Sequence, residues 1–224
     1  MELWFQISVE DDFSHTAIFL VAVKGWHQMI IRHRVNTAKE LSSVPSKHGV
    51  EIDLRVSGGE IILAHDPFAS GESFELWLEK FCHGTLILNV KEDGLESRIS
   101  EMLRCKGIVD YFFLDQPFPT LRKSALENRP VALRLSEHEN PIEIGDLQIK
   151  WIWLDSFSGN WRYLAKHADW LKKGAFKLCI VSPELQGRSP GSESSVIAEA
   201  FQKSNLKIDA VCTKTPEIWE MLLP

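Results

Sequence analysis

The stretch "KHGVEIDLRVSGGEIILAHD" (47–66) carries two carboxylates and an imidazole where a plain strand hairpin would carry apolar or neutral residues. Glu51 and Asp53 are two residues apart in an alternating apolar run, so on a strand both point to one face. Like charges held that close raise each other's pKa unless a cation sits between them. Their hard oxygens suit a divalent ion such as Mg2+ or Ca2+, and Asn89 can add a neutral oxygen. His33 and His65 supply two groups that titrate near neutrality, as one acid and one base require. Arg34, Lys91 and Arg134 supply positive charge for the phosphate of an anionic substrate. Together these residue types describe cleavage of a phosphate diester. The cation neutralises the phosphate, one histidine activates the nucleophile and the other protonates the leaving oxygen.

The hydrophobic pattern shows which elements must position these side chains. From Met29 onward, apolar β-branched runs recur: "MIIRH", "VEIDLR", "TLILNVK", "YFFLD", "VALRLS", "IKWIWLDS", "KLCIVSP" and "AVCTK". Helical spacing appears between them in "ESFELWLEKF", "GLESRISEMLRC", "NWRYLAKHADWLKKG" and "SSVIAEAFQKSN". Strands alternating with helices imply a parallel sheet, and about eight such units predict an α/β fold of the (β/α)8 barrel type. No glycine-rich nucleotide loop follows the first strand, which argues against an open doubly wound sheet. The expected organisation is one domain over 29–224, preceded by an N-terminal extension, 1–28, with Met29 as an alternative start. The Gly187–Ser195 stretch reads as a loop able to act as a lid.

Barrel chemistry collects at the C-terminal strand ends. Those ends carry His33 and Arg34, then Glu51, Asp53 and Arg55, then Asn89 and Lys91. Asp115, Arg134, Ser136, Asp155, Ser182, Glu184 and Lys214 follow. Asp115, Trp153, Asp155, Glu184 and Lys214 are the candidates for the pocket wall, although tryptophans on strands are more often core.

Composition narrows the partners. The chain of 224 residues is 44% hydrophobic with a formal charge of −6 and no basic block, which points away from nucleic acid. The apolar run "TAIFLVAV" is far too short to span a bilayer, and Asp11 and Asp12 precede it. The expectation is a cytoplasmic protein acting on a small-molecule phosphodiester without stable membrane insertion. Cys82, Cys105, Cys179 and Cys212 form no C-x-x-C pair and read as buried free thiols.

The spacing "IIRHR…VEIDLR…IILAHDPF" resembles the glycerophosphodiester phosphodiesterase family within the phosphatidylinositol-phospholipase-C-like superfamily, with phospholipase-D-like sphingomyelinases as more distant relatives. "NVK" and "AVCTKTPEIW" extend the likeness, which covers the chain from about residue 29 onward. The resemblance implies a phosphoric diester hydrolase with His33 and His65 as the catalytic pair. It implies Glu51 and Asp53 as metal ligands and Lys91 as a phosphate contact. Four features depart from the family pattern. Val35 replaces a glycine, Asn89 replaces a third acidic ligand, Lys214 stands where an aspartate is common, and the insertion after the H-D element is missing. Two other readings stand beside this one: a catalytically silent relative that binds phosphorylated ligands, and a Schiff-base lyase built on Lys91.

Overall fold

The computed structural model describes residues 29–143, 145 and 147–222, so the 1–28 extension lies outside the described residues. Strand β1 (Met29–Arg32) leads through α1 (Ala38–Ser43) to the long β2 (Gly49–Ser57). A tight turn at Gly58 and Gly59, both at positive φ (58° and 85°), returns the chain as the antiparallel β3 (Glu60–Leu63). Glycine is the residue that takes two consecutive left-handed positions without strain. The two-residue β4 (Glu72–Ser73) and the short α2 (Phe74–Leu78) complete this excursion. Strand and helix then alternate: β5 (Leu86–Val90), α3 (Glu96–Cys105), β6 (Tyr111–Leu114) and α4 (Phe118–Leu126). Between β7 (Ala132–Leu135) and β8 (Trp151–Leu154) the described residues form no helix. The series closes with α5 (Tyr163–Lys173), β9 (Lys177–Val181), α6 (Pro190–Ser204), β10 (Ala210–Thr213) and α7 (Pro216–Leu222).

The main strands pair in parallel in the order β6–β5–β2–β1–β10–β9–β8–β7. This α/β architecture is a curled eight-stranded parallel sheet whose two ends approach each other. Across that seam the described residues show one isolated bridge, Phe113–Val131, with Phe113 N donating to Pro130 O at 2.9 Å. The pleat sorts side chains into two layers. Val50, Ile52 and Leu54 of β2 face outward and pack with Trp77, Ile99 and Leu103 from the helices. Ile31, Ile87, Phe112, Trp151, Cys179 and Cys212 fill the inside of the curl. Full burial of each such side chain is worth about 1.5–3 kcal/mol, so the two layers fix which strand positions are left to face the mouth.

The structure corrects three local expectations. Pro190 starts α6, so only the first part of the Gly187–Ser195 stretch is loop. Proline fits there because the first helical N–H needs no partner. Arg188 also pins this segment, donating to the Phe157 and Ser156 carbonyls at 2.9 and 2.6 Å, which is an anchored turn rather than a free lid. The helix expected over "ESFELWLEKF" shrinks to five residues because its start joins the sheet as β4. All four cysteines are free thiols, but Cys82, in the loop before β5, and Cys105, the last residue of α3, are exposed, while only Cys179 and Cys212 are buried. Among the described residues, no helix is long and apolar enough to cross a membrane.

Candidate active site

The inward-facing positions at the C-terminal ends of the strands hold the polar residues. β1 pairs with β2 only at Gly49 and Val50, and β3 pairs with the same edge only from Leu54 onward, so the stretch from Glu51 to Asp53 has no strand on that side. The chain leaving β1 fills the gap. Arg34 N donates to Glu51 Oε2 at 2.8 Å, and Val35 N donates to the Glu51 carbonyl at 2.8 Å. Asn36 meets Asp53 twice: Asp53 N donates to its Oδ1 and its Nδ2 donates to Asp53 Oδ2, both at 2.9 Å. Arg34 sits at φ 54°, a left-handed position where the family pattern places its glycine one residue later. On the other side of β2, β5 places Asn89 level with Asp53, and Asn89 Nδ2 donates to Glu51 Oε1 at 3.2 Å.

Glu51 and Asp53 are therefore neighbours on one face with exposures of 1% and 0%. Burial, then the Asp53 charge, push the Glu51 carboxyl above the ordinary carboxylate range. The Lys91 ammonium lies 3.0 Å from Asp53 Oδ1, and Arg34 Nε lies 3.7 Å from Oδ2. His33 Nε2 stands 3.7 Å from Glu51 Oε2. Burial, with Arg34 and Lys214 close by, pulls the His33 imidazole down to about 3, so its neutral form prevails. His65 Nε2 meets Arg34 Nη2 at 2.6 Å, and its Nδ1 meets Asp66 Oδ1 at 2.7 Å. Its carbonyl accepts two bonds from Arg55, which also pairs with Glu92 at 3.3 Å.

The far side of the mouth forms a second network. Arg134 pairs with Asp115, reaches Asp155 Oδ2 at 3.7 Å and lies over the Phe157 ring at 5.7 Å. Gln186 donates to both Asp155 oxygens, at 3.1 and 3.2 Å. Arg134 is thus committed to two carboxylates, away from the Lys91–Arg34 cluster. Glu184 works as a brace: it accepts from Thr213 Oγ1 at 2.5 Å, from Lys214 N at 2.8 Å and from the Ser182 hydroxyl. Ser182 in turn accepts from Trp219 Nε1 at 2.7 Å, fastening α7. Ser136 donates to Glu139. Trp153, 4% exposed, belongs to the inner apolar layer beneath Asp155. Lys214 is exposed at the rim near His33. Asn36, Gln186 and Phe157 are the residues that spacing did not single out. Asn36 had one signal, its place between Arg34 and the Thr37 cap of α1.

Among the described residues no group of three His, Cys, Asp or Glu gathers as a metal site. The oxygen set is nevertheless of the right kind. Asn89 Oδ1 is buried without a hydrogen-bond partner, Asp53 Oδ1 is buried with only the Lys91 ammonium against it, and Glu51 lies on the same face within reach of Asn89. Two carboxylates and one amide oxygen fit a hard divalent ion, with less charge than a three-carboxylate set would offer.

No family model matches the chain, and no curated protein does. Two solved structures share its architecture, each with a TM-score of 0.62 at 13% identity. One is a glycerophosphodiester phosphodiesterase from Agrobacterium tumefaciens, matched over 88% of this chain and 98% of that one. The fold is similar to that of glycerophosphodiester phosphodiesterases. The other structure, a glycerophosphoryl diester phosphodiesterase from Parabacteroides distasonis, is matched over 92% of this chain and 91% of its own. In chain order, the H-R, E-x-D and H-D elements of the sequence reading all fall at one mouth of this shared fold, while the phosphate candidates split between its two sides.

Proposed function

We propose that the protein is a phosphoric diester hydrolase acting on a small, glycerophosphodiester-like substrate, lipid- or sugar-derived, in the cytoplasm. On this reading the curled sheet is a closed (β/α)8 barrel of the phospholipase-C-like type. The observation that carries the proposal is the grouping of two histidines, a buried carboxylate pair and the cations Arg34 and Lys91 at one end of one sheet. Glu51, Asp53 and Asn89 would hold Mg2+ or Ca2+, which would supply charge neutralisation at the phosphate.

Arg34 and Lys91 bind and orient the phosphate oxygens. His33, held neutral by burial, takes the proton of the attacking nucleophile. Arg34 turns from His65 to the phosphate, the freed Nε2 of His65 takes up a proton from solvent, and the imidazolium so formed gives that proton to the leaving alcohol oxygen. Asp66 holds the opposite nitrogen and fixes the ring.

A second reading, a silent binder of phosphorylated ligands, draws on the amide of Asn89 and the ammonium of Lys91. Both stand against the carboxylates where an ion would sit. The lyase reading is weaker, because Lys91 is paired with Asp53 instead of standing in an apolar pocket. Hydrolysis of glycerophosphodiesters and of bis(p-nitrophenyl) phosphate, with and without magnesium, tests the proposal. Absence of turnover on every diester would favour the silent binder.

A further inference from the structure

Asn36 has no acid, base or cation role in the scheme above, yet it makes a reciprocal two-point contact with the carboxylate at the centre of the mouth. We infer that Asn36 is the positioning residue of Asp53. It fixes the carboxylate so that Oδ2 is tied back and Oδ1 is presented to the interior of the site. The inference rests on the hydrolytic reading of that site.

The argument begins with strand length. β1 ends at Arg32, its pairing with β2 stops at Val50, and β3 pairs with the same edge only from Leu54, so the Asp53 carbonyl accepts from Ala64 N at 3.0 Å while the Asp53 N–H has no strand carbonyl to meet. A buried, unpaired N–H is costly, and the Asn36 side chain takes the place of the missing strand. That bond also settles how the amide is turned. Its Oδ1 must face the Asp53 N–H, so its Nδ2 must face Asp53 Oδ2, and the contact at 2.9 Å follows. One asparagine therefore reads both the backbone and the carboxylate of the same residue.

The carboxylate needs this help. Asp53 is fully buried, Arg34 Nε is 3.7 Å from Oδ2, and Lys91 Nζ is 3.0 Å from Oδ1. With cations on both sides, a carboxylate without Asn36 is free to rotate toward either. The clamp removes that freedom before substrate arrives, as groups behind a reacting centre commonly do. A plain loop anchor would behave differently. Thr37, the next residue, caps α1 through a reciprocal capping box with Glu40 and does not touch Asp53, so it supplies the control.

The experiment compares Asn36→Ala, Asn36→Leu and Thr37→Ala with the unaltered chain. It measures kcat and KM on a diester, the magnesium concentration for half-maximal rate, the melting midpoint and amide exchange at Asp53. Both Asn36 variants should lower kcat and raise the magnesium requirement by about 10–100-fold, while the Asp53 amide exchanges faster. Thr37→Ala should lower the melting midpoint and leave kcat unchanged. Wild-type kcat in Asn36→Leu, or an equal loss of kcat in Thr37→Ala, overturns the positioning role. If the unaltered chain hydrolyses no diester, the hydrolytic reading falls, and Asp53 amide exchange then decides the clamp alone. Unchanged protection in Asn36→Leu overturns it. Should the apolar variants fail to fold, Asn36→Ser, which keeps one short polar group, should show intermediate exchange, and wild-type exchange in it would again be fatal to the clamp.

Discussion

Arg34 and His65 are joined across the mouth, guanidinium Nη2 to imidazole Nε2, at 2.6 Å. A guanidinium only donates, so Nε2 is the acceptor and the ring proton resides on Nδ1, where Asp66 receives it. The nitrogen that faces the site is therefore occupied until Arg34 finds a better acceptor. A phosphate is such an acceptor.

The first prediction follows from this pairing. Imidazole 15N spectra of the free protein should show His65 protonated on Nδ1, and inorganic phosphate should shift the Nε2 resonance as Arg34 leaves it. In Arg34→Ala that response should vanish and KM for a diester should rise. A phosphate-induced shift that persists in the variant would show that Arg34 does not control the ring.

The two histidines should divide the proton transfers. Alanine at either position should cost on the order of 10²- to 10⁴-fold in rate. The acid matters only when the leaving alcohol is poor, so His65→Ala should spare a nitrophenyl ester far more than an alkyl ester. His33→Ala should damage both alike. Equal losses on the two esters in both variants would mean that the histidines only position the phosphate.

Metal dependence is read at Asp53 and Asn89. Asp53→Asn keeps the side-chain volume and removes one charge, so it should abolish metal-stimulated turnover without unfolding the chain. Asn89→Asp should tighten magnesium binding, because affinity follows ligand charge. Calorimetric titration that shows unchanged or weaker binding in Asn89→Asp would take that residue out of the ion's reach, and full activity after exhaustive chelation would remove the ion altogether.

Arg134 should reveal itself through pH. Burial pushes the Asp155 carboxyl up, and Arg134 is the largest influence pulling it back. A group with a raised folded pKa stabilises the fold at acid pH and loses that contribution as pH rises through its folded value. Arg134→Leu should therefore be mildest near pH 4 and cost about 1–3 kcal/mol at neutral pH, where a buried carboxylate has lost its partner. Urea unfolding at both pH values measures this. A penalty independent of pH would show that Arg134 does not serve Asp155.

Much of this site was legible in the sequence because strand periodicity is local. The alternation Val50–Glu51–Ile52–Asp53–Leu54 already assigned apolar residues to the outer layer and carboxylates to the inner face. Asn36 was not legible, because its role depends on β1 being shorter than β2, a property of two strands together. Glu184 reads in sequence like another mouth carboxylate. Its use as a brace depends on how the chain turns after β9, which brings it onto Thr213 and the Lys214 amide. Arg134 read as a phosphate ligand for a similar reason: only the approach of β6 to β7 places Asp115 beside it.

That approach has a further consequence. Elsewhere neighbouring strands are laced by backbone hydrogen bonds, but β6 and β7 meet through one bridge low in the wall and, above it, through the partly exposed Arg134–Asp115 pair. Backbone ladders are almost indifferent to dissolved salt, whereas partly exposed ion pairs weaken as the Debye length shortens. Ionic strength thus acts on one wall of the molecule more than on the rest, loosening a side-chain clasp beside the mouth while the laced strands carrying Glu51, Asp53 and Asn89 stay in register.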